Sequence, residues 1–384
     1  MPRRETTVEV QGHRLSLSNL EKVFYPEAGF TKRDVIDYYT RIGVVMLPHL
    51  SGRPLTLKRY PNGVDGMFFY EKNCSRSRPE WVETARIWSE GNHRWMDYCV
   101  AHNLATLVWA ANLASLELHT SLSKFPDMHQ PSFLAFDLDP GAPASMVECC
   151  RAGLWIHDLL AGLGLRSFPK SSGSKGLQVY CPLNSKATYD RTKPFAHELA
   201  RELERKHPEL VVSDMKKSLR EGKVLVDWSQ NDVHKTTVCV YSLRARPQPT
   251  VSTPLTWEEV SRCLQSGNAA ALTFTAAQVL ERVEQHGDLF APVLTLRQQL
   301  PSEAVLNAAV QSAPGESAAS ESATSESATQ AVSAGVRKPA AVVRPSAAAR
   351  KPPAVARKTS RKTSSGRARS TPTPVRAARK PRAG

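Results

Sequence analysis

The stretch Phe133-Leu134-Ala135-Phe136-Asp137-Leu138-Asp139-Pro140 is an apolar run that ends in two carboxylates. Its composition predicts a buried β-strand, and side chains two residues apart on a strand point to the same face. Asp137 and Asp139 are therefore expected to converge on one spot. About ninety residues later, Val224-Leu225-Val226-Asp227 is a second β-branched run that ends in a carboxylate. The two runs together predict that Asp227 joins the first pair.

Three neighbouring carboxylates that lack a counter-charge repel one another and raise each other's pKa. Two divalent cations about 3.5–4 Å apart are the usual remedy, and such a pair serves phosphoryl transfer. The pattern therefore favours a metal site at Asp137, Asp139 and Asp227. The structural alternative is that Asp139-Pro140 only starts a turn and that Asp227 pairs with a basic side chain.

A second candidate site lies between the two acidic runs. Residues 171–176, Ser-Ser-Gly-Ser-Lys-Gly, lead into the strand-like run Leu177-Gln178-Val179-Tyr180. Glycine lets the backbone approach an anion closely, hydroxyls and amides donate to it, and Lys175 adds a point charge. The spacing is not that of a Walker loop. Beside the three carboxylates, the segment favours a phosphate-binding loop.

Charge and composition separate a body from a tail. Residues 337–384 contain fifteen Lys or Arg and no Asp or Glu, so residues 1–336 hold 51 − 15 = 36 basic and 36 acidic residues and are neutral. From about Pro301 the chain is rich in Ala, Ser and Pro, and we expect residues 301–384 to be disordered. The basic part is expected to contact nucleic-acid phosphates without reading sequence. A solvated linker is the alternative.

Cysteine usage and the N-terminus bear on the compartment. The seven cysteines form no C-x-x-C pair, and this odd, unpatterned count predicts reduced thiols and no structural zinc. There is no apolar run long enough to span a membrane, and the first residues lack the apolar core of a signal peptide. We therefore expect a cytoplasmic protein without membrane contact.

Periodicity along residues 1–300 predicts one catalytic body of the α+β (mixed α/β) class. Residues 8–10 and 15–17 alternate as in an opening hairpin. Thr31 with Asp34 forms a capping box. Helical spacing predicts further helices at residues 103–119, 146–163, 192–206, 257–263 and 275–286.

Several ordered segments resemble the polymerase domain of bacterial end-joining ligase D, in the archaeo-eukaryotic primase superfamily. They are Glu21-Lys22-Val23-Phe24-Tyr25-Pro26, Gly52-Arg53-Pro54, Lys58-Arg59-Tyr60-Pro61-Asn62-Gly63, Leu116-Glu117-Leu118-His119, Phe136-Asp137-Leu138-Asp139-Pro140, Ser172-Gly173-Ser174-Lys175-Gly176, Val226-Asp227-Trp228-Ser229-Gln230-Asn231 and Tyr241-Ser242-Leu243-Arg244-Ala245-Arg246-Pro247. The resemblance covers roughly residues 8–295. It implies a primase-polymerase fold with a central, mostly antiparallel sheet flanked by helices. Because no ligase or nuclease module is present, the layout is expected to be that of the stand-alone relatives.

The resemblance implies a template-dependent nucleotidyltransferase that extends 3′-hydroxyl ends at gaps or breaks, with a preference for ribonucleotides. It implies two metal ions, Mn²⁺ or Mg²⁺, on Asp137, Asp139 and Asp227. It also implies contacts to a nucleoside triphosphate from Lys58, His119, Ser172, Ser174, Lys175, Gln178, Gln230, Lys235, Arg244 and Arg246. On sequence grounds Arg244 and Arg246 are expected to alternate on a strand. At position 178 the family often carries histidine, so the glutamine is expected to alter triphosphate affinity.

The resemblance also implies contacts to DNA. Lys22 and Lys32 match positions that bind a downstream 5′-phosphate. Phe69 and Tyr70 match an aromatic pair that stacks on the template. A basic loop expected near the primer terminus or template contains Lys216, Lys217 and Arg220. A Ku-like end binder and a DNA ligase are the expected partners. Two other functions stay open at this point: a metal-dependent phosphodiesterase, and a non-catalytic DNA-end adaptor that binds through its basic tail.

Overall fold

Over residues 5–312, which this computed structural model describes, the chain forms fifteen β-strands and eight α-helices. The strands are β1 (Glu5–Val10), β2 (His13–Ser18), β3 (Val23–Tyr25), β4 (Phe30–Thr31), β5 (Leu55–Arg59), β6 (Phe69–Glu71), β7 (Thr84–Ser89), β8 (Arg94–Cys99), β9 (Ser115–Thr120), β10 (Phe133–Pro140), β11 (Phe168–Ser171), β12 (Leu177–Pro182), β13 (Val211–Val212), β14 (Val224–Asp227) and β15 (Thr237–Val238). The helices are α1 (Lys32–Leu50), α2 (Leu104–Asn112), α3 (Met146–Gly162), α4 (Tyr189–Lys206), α5 (Trp257–Ser266), α6 (Ala276–His286), α7 (Ala291–Thr295) and α8 (Glu303–Ser312).

The strand that carries the first acid pair lies at the centre of a five-stranded sheet. The order is β11-β12-β10-β14-β13, and only the pairing of β13 with β14 is parallel. Strand β10 is buried along Phe133–Phe136, as its continuous apolar run predicts. Helices α3, α4 and α5 contribute buried side chains to one hydrophobic cluster with this sheet.

A second, four-stranded antiparallel sheet has the order β15-β9-β5-β6. Helices α1 and α2 share its hydrophobic cluster. The two sheets are linked at β15, where Thr237 Oγ1 and Tyr180 Oη of strand β12 lie 2.9 Å apart in a hydrogen bond. Mixed α+β architecture with mostly antiparallel sheets and flanking helices is thus confirmed.

Most local predictions agree with the structure. Strands β1 and β2 form the opening hairpin, and both halves of the Thr31 capping box are present at the start of α1. The helix predicted at 103–119 is wrong in its second half. Helix α2 ends at Asn112 because Ala114 adopts a left-handed conformation (φ +63°), and the residues after it pair with β5 as strand β9.

The thiol prediction needs a correction. Cys74 and Cys99 form a disulfide, whereas the other five cysteines are free and buried. The amide of Cys74 donates to the carbonyl oxygen of Asp97 at 2.6 Å, so the loop after β6 runs beside the end of β8. This tertiary contact brings together two cysteines that are 25 residues apart in sequence.

The first part of the predicted disordered tail is helical in the structure. Residues 303–312 form α8, and Leu306 is buried in the cluster of the five-stranded sheet. The rest of the predicted tail lies outside the described residues. Within the described part of the chain, none of the helices has the length and apolar character needed to cross a membrane.

Candidate active site

The three predicted acids meet at the middle of the five-stranded sheet. Strand β10 pairs with β14 so that Asp137 lies directly opposite Asp227, and Asp139 is two residues further along the same strand. Burial, followed by the charge of Asp139, raises the pKa of Asp137 to about 7. Burial, followed by the charge of Asp227, raises the pKa of Asp139 as well. The acids are therefore close enough to repel one another.

The donor chemistry of this cluster fits a hard divalent cation, because three carboxylates supply oxygen ligands and negative charge. As the side chains stand, no group of three or more His, Cys, Asp or Glu residues within 5–312 is arranged to hold a metal ion. The Asp227 carboxylate instead accepts hydrogen bonds from the backbone N–H and hydroxyl of Ser229 and, at 2.8 Å, from Gln230 Nε2. Lys235 donates to the hydroxyl of Ser229, so two predicted site residues lie around Asp227.

The predicted phosphate loop connects β11 to β12 beside these acids. The hydroxyl of Ser172 accepts hydrogen bonds from the backbone N–H groups of Ser174 and Gly176, at 3.2 and 3.1 Å. Lys175 is exposed and lowers the pKa of Asp139 through its charge. Glycine is required at 176 because a Cβ there would lie 2.0 Å from the carbonyl oxygen of Leu138. The loop is thus held tightly against the strand that carries the acids.

A cluster of basic side chains on and beside the second sheet is organised by Glu117. This carboxylate on β9 is buried, and strand pairing puts Lys58 of β5 opposite it. Its oxygens lie 3.5 Å from Lys58 Nζ, 3.0 Å from His119 Nε2 and 3.4 Å from Arg244 Nε. The hydrogen bond from His119 and the charges of Arg244, His119 and Lys58 hold the pKa of Glu117 far below its usual range, against the opposing effect of burial. Burial lowers the pKa of His119.

Sequence reasoning assigned no role to Glu117. The signal was a charged residue between two leucines, which is uncommon inside a buried strand unless the charge is paired. The helix predicted over this segment hid the signal, because on a helix Glu117 and Lys58 have no reason to meet.

Arg244 connects the two sheets, although not in the predicted way. The strand predicted at 244–246 is absent, and Arg246 is exposed. Arg244 donates to the carbonyl oxygen of Ser172 while its Nε lies near Glu117, and that Nε forms no hydrogen bond. Its contact with Glu117 is therefore electrostatic only. The charge of Arg244 also lowers the pKa of Asp139, so this guanidinium lies between the phosphate loop and the acids.

Gln178 and Lys170 lie behind the acids. Gln178 is directly opposite Asp137 on β12 and is buried, and its hydrogen bond to Asp137 lowers that pKa. Lys170 of β11 is opposite Gln178, fully buried, and donates to Gln178 Oε1. Burial lowers the pKa of Lys170 to about 7. Sequence reasoning missed Lys170, because the short strand Phe168–Ser171 is only half apolar and gives no clear signal of a buried charge.

Two residues predicted to grip a 5′-phosphate are adjacent. The backbone N–H of Lys32 donates to the carbonyl oxygen of Lys22, and the Lys32 ammonium binds the carbonyl oxygen of Ser18 at 2.6 Å. Lys32 is buried rather than exposed. Burial, followed by the charges of Lys22 and Arg59, lowers its pKa to about 8. Lys22 is exposed and contacts Asn62.

The predicted template and primer residues lie on the surface. Phe69 and Tyr70 are 45% and 55% exposed, whereas an ordinary strand would bury one of the two. Lys216 and Lys217 are exposed. Arg220 is half-buried, and its charge lowers the pKa of Asp139, so the basic loop borders the acidic cluster.

The fold and the acidic cluster together define a polymerase-like domain. Comparison with known proteins identifies the family to which it belongs. The family model described as "LigD, primase-polymerase domain" matches residues 31–290. The chain therefore belongs to the LigD primase-polymerase family.

Two similar relatives are multidomain LigD proteins of bacteria. The chain is 41% identical to the multifunctional non-homologous end joining protein LigD of Mycolicibacterium smegmatis over 282 residues, which are 73% of this chain and 36% of that protein. It is 31% identical to the bifunctional LigD of Bacillus subtilis over 295 residues, which are 77% of this chain and 46% of that protein. The chain thus spans between a third and a half of the length of these relatives.

A solved structure matches both the fold and the sequence. The polymerase domain of Mycobacterium tuberculosis ligase D in complex with DNA superposes with a TM-score of 0.69 and 40% identity. The match covers 73% of this chain and 98% of that domain. The primase-polymerase fold implied by the sequence resemblance is thereby confirmed.

Proposed function

We propose that this chain is a template-dependent nucleotidyltransferase that extends 3′-hydroxyl ends of DNA at gaps or breaks during non-homologous end joining. The observation that carries the proposal is the strand register, in which Asp137 faces Asp227 with Asp139 on the same edge. Burial, followed by the charge of Asp139, raises the pKa of Asp137, and a bound cation would favour the ionised carboxylates of this cluster. Two Mn²⁺ or Mg²⁺ ions on these acids would activate the primer hydroxyl and neutralise the leaving pyrophosphate.

The incoming triphosphate would lie between the two sheets. Ser172, Ser174 and Lys175 border the acids on one side, and Lys58, His119 and Arg244 form a basic cluster on the other. A polyanion placed there gains charge-assisted hydrogen bonds from both sides. Gln230, Lys235 and Arg246 are further candidates for this contact, whereas Gln178 is buried opposite Asp137. A preference for ribonucleotides is part of the proposal and comes from the family resemblance.

DNA would approach along the exposed rim of the site. Lys22 and Lys32 would bind a downstream 5′-phosphate, and the exposed rings of Phe69 and Tyr70 would stack on template bases, since every base has a π face. Lys216, Lys217 and Arg220 would contact the primer or template. A Ku-like end binder, a separate ligase and phosphate contacts from the basic C-terminal segment complete the proposal.

Primer extension tests this proposal directly. A gapped duplex with a 5′-phosphate, Mn²⁺ and either ribo- or deoxyribonucleoside triphosphates should give extension by the unaltered chain and none by Asp137→Ala. Asp158→Ala removes an exposed carboxylate from α3 and serves as the matched control. Extension that survives in Asp137→Ala would reject the mechanism. Primer degradation without triphosphate would instead favour a phosphodiesterase, and binding without either reaction would favour an end adaptor.

A further inference from the structure

A buried lysine behind the acids has no part in the proposed function so far. The side chain of Lys170 is fully buried, and its ammonium group has three acceptors. They are Gln178 Oε1, Ser252 Oγ at 2.7 Å and the carbonyl oxygen of Val238 at 3.2 Å. A lysine has three N–H donors, so all three are used. The carboxylate of Asp137 raises the pKa of Lys170. In the sheet, Gln178 lies between these two residues.

The arrangement fixes which end of the Gln178 carboxamide points where. A lysine can only donate, so it takes the carboxamide oxygen, and the NH₂ group is left for Asp137. Strand pairing puts Gln178 directly opposite Asp137, and Gln178 lowers the pKa of that carboxyl as a hydrogen-bond donor would. Without Lys170, half a turn of the carboxamide would point its oxygen at the carboxylate with almost no change in shape, and that contact is repulsive.

We propose that Lys170 is a positioning residue for primer extension, and that it holds the Gln178 carboxamide so that the NH₂ group fixes the carboxylate of Asp137. This inference rests on the proposed function. Gln178 lies between Lys170 and Asp137 and is only 3% exposed, so we assign it the support of Asp137 and not contact with the triphosphate. An apolar side chain at position 170 would avoid the cost of burying an ammonium group, and so stability alone does not account for the lysine.

Three variants separate positioning from a merely structural role. Lys170→Met keeps the length of the side chain and removes its donors. Gln178→Glu keeps an acceptor for Lys170 but turns only acceptors toward Asp137. Ser252→Ala removes an acceptor of Lys170 that does not touch Gln178, so it is the matched control for lost stability.

Steady-state extension on the gapped duplex at saturating Mn²⁺ gives the first readout. We expect kcat to fall about tenfold in Lys170→Met, about 1.4 kcal/mol, and at least as much in Gln178→Glu. KM for the triphosphate should stay within about twofold in both, because neither residue touches it, and Ser252→Ala should keep kcat within about twofold. A wild-type kcat in Lys170→Met, an equal fall in Ser252→Ala, or a raised KM with unchanged kcat in Gln178→Glu would overturn the inference.

The second readout needs neither metal nor activity. In metal-free protein, the side-chain NH₂ signals of Gln178 should be protected from solvent exchange and should shift in Asp137→Asn. Protection should be lost in Lys170→Met and kept in Ser252→Ala, and protection that survives in Lys170→Met contradicts the inference. If the unaltered chain extends no primer, the proposed function fails, whereas the NMR signals still report on the orientation. If Lys170→Met does not fold, Gln178→Glu alone decides the kinetic question.

Discussion

Replacing Asp137 by asparagine should stabilise the metal-free protein at neutral and alkaline pH. The pKa of this carboxyl rises from its ordinary 3.8 to about 7 because of burial and the neighbouring acids. Each factor of ten in acidity is worth about 1.4 kcal/mol, so the rise corresponds to about 4 kcal/mol. Water entry and side-chain rotation reduce the penalty, and we expect a gain of about 2 kcal/mol. Asparagine keeps an oxygen that accepts from Gln178.

The sign of the pH dependence follows from linkage. The folded protein binds the Asp137 proton more tightly than the unfolded chain does, so this group's contribution to stability is fully present below pH 3.8 and is lost as the pH rises through about 7. The difference between Asp137→Asn and wild type should therefore be largest near pH 8 and vanish toward pH 4. Groups that do not interact with Asp137 titrate equally in both proteins and cancel in the difference, whereas Asp139 and Lys170 interact with Asp137 and contribute to it.

Urea unfolding in EDTA at pH 4, 6 and 8 measures this difference, with Asp158→Asn as the exposed control. Adding Mn²⁺ at pH 8 should then reverse the order, since a ligand stabilises only the protein that binds it. The reasoning is refuted if Asp137→Asn is less stable than wild type at pH 8 in EDTA, or if its advantage is the same at all three pH values.

Three further changes test the surroundings of the acids. Glu117→Gln leaves buried basic groups without their counter-charge and should lower the free energy of unfolding by about 2 kcal/mol. The control Glu284→Gln alters an exposed ion pair and should change this free energy by less than about 0.5 kcal/mol. Similar urea midpoints for the two variants would contradict the prediction. Gly176→Ala places a Cβ against the backbone of Leu138 and should lower the free energy of unfolding by about 3 kcal/mol or more. The control Gly162→Ala has open space around its Cβ and should be neutral or stabilising in thermal melting. Equal melting temperatures would show that the loop can shift to accept the Cβ. Lys32 should lose its charge near pH 8. The preference for binding a 5′-phosphate over a 5′-hydroxyl end, about tenfold at pH 7, should therefore shrink by pH 9 when it is measured by fluorescence anisotropy. A preference that stays constant with pH would exclude Lys32 from the contact.

The acidic pair was predictable because its geometry is local. A spacing of two on a strand fixes a common face, and the apolar run before Asp137 is long enough to identify the strand. The phosphate loop and the Thr31 capping box are local in the same sense. That Asp227 joins the pair depends on strand register, which composition does not encode. Here the chemistry of repelling carboxylates, and not the pattern, supported the prediction.

The two failed secondary-structure predictions, at residues 103–119 and 244–246, share one physical cause, which is competition between local periodicity and tertiary pairing. Leucines at 104, 107 and 118 fit a single helical face, yet Ala114 breaks the helix and the following residues gain more by pairing with β5. The same applies to the alternation of Arg244 and Arg246. Arg244 has contacts with groups that belong to two different sheets, so no strand pattern of its own sequence determines its position.

The two missed residues, Glu117 and Lys170, have opposite charges and opposite places in the site. Glu117 pairs with the basic side chains proposed to bind the triphosphate, and Lys170 lies behind the acids proposed to bind the metals. A site that binds cations next to a polyanion must hold several carboxylates together, and several basic groups together, before either ligand is bound. A buried group of opposite charge reduces the repulsion within each set and leaves the ligand's position open. Burying a charge is costly, so a single charged residue inside an apolar strand is a sequence signal in its own right. In this chain Glu117 is such a residue, and it lies beside the candidate active site.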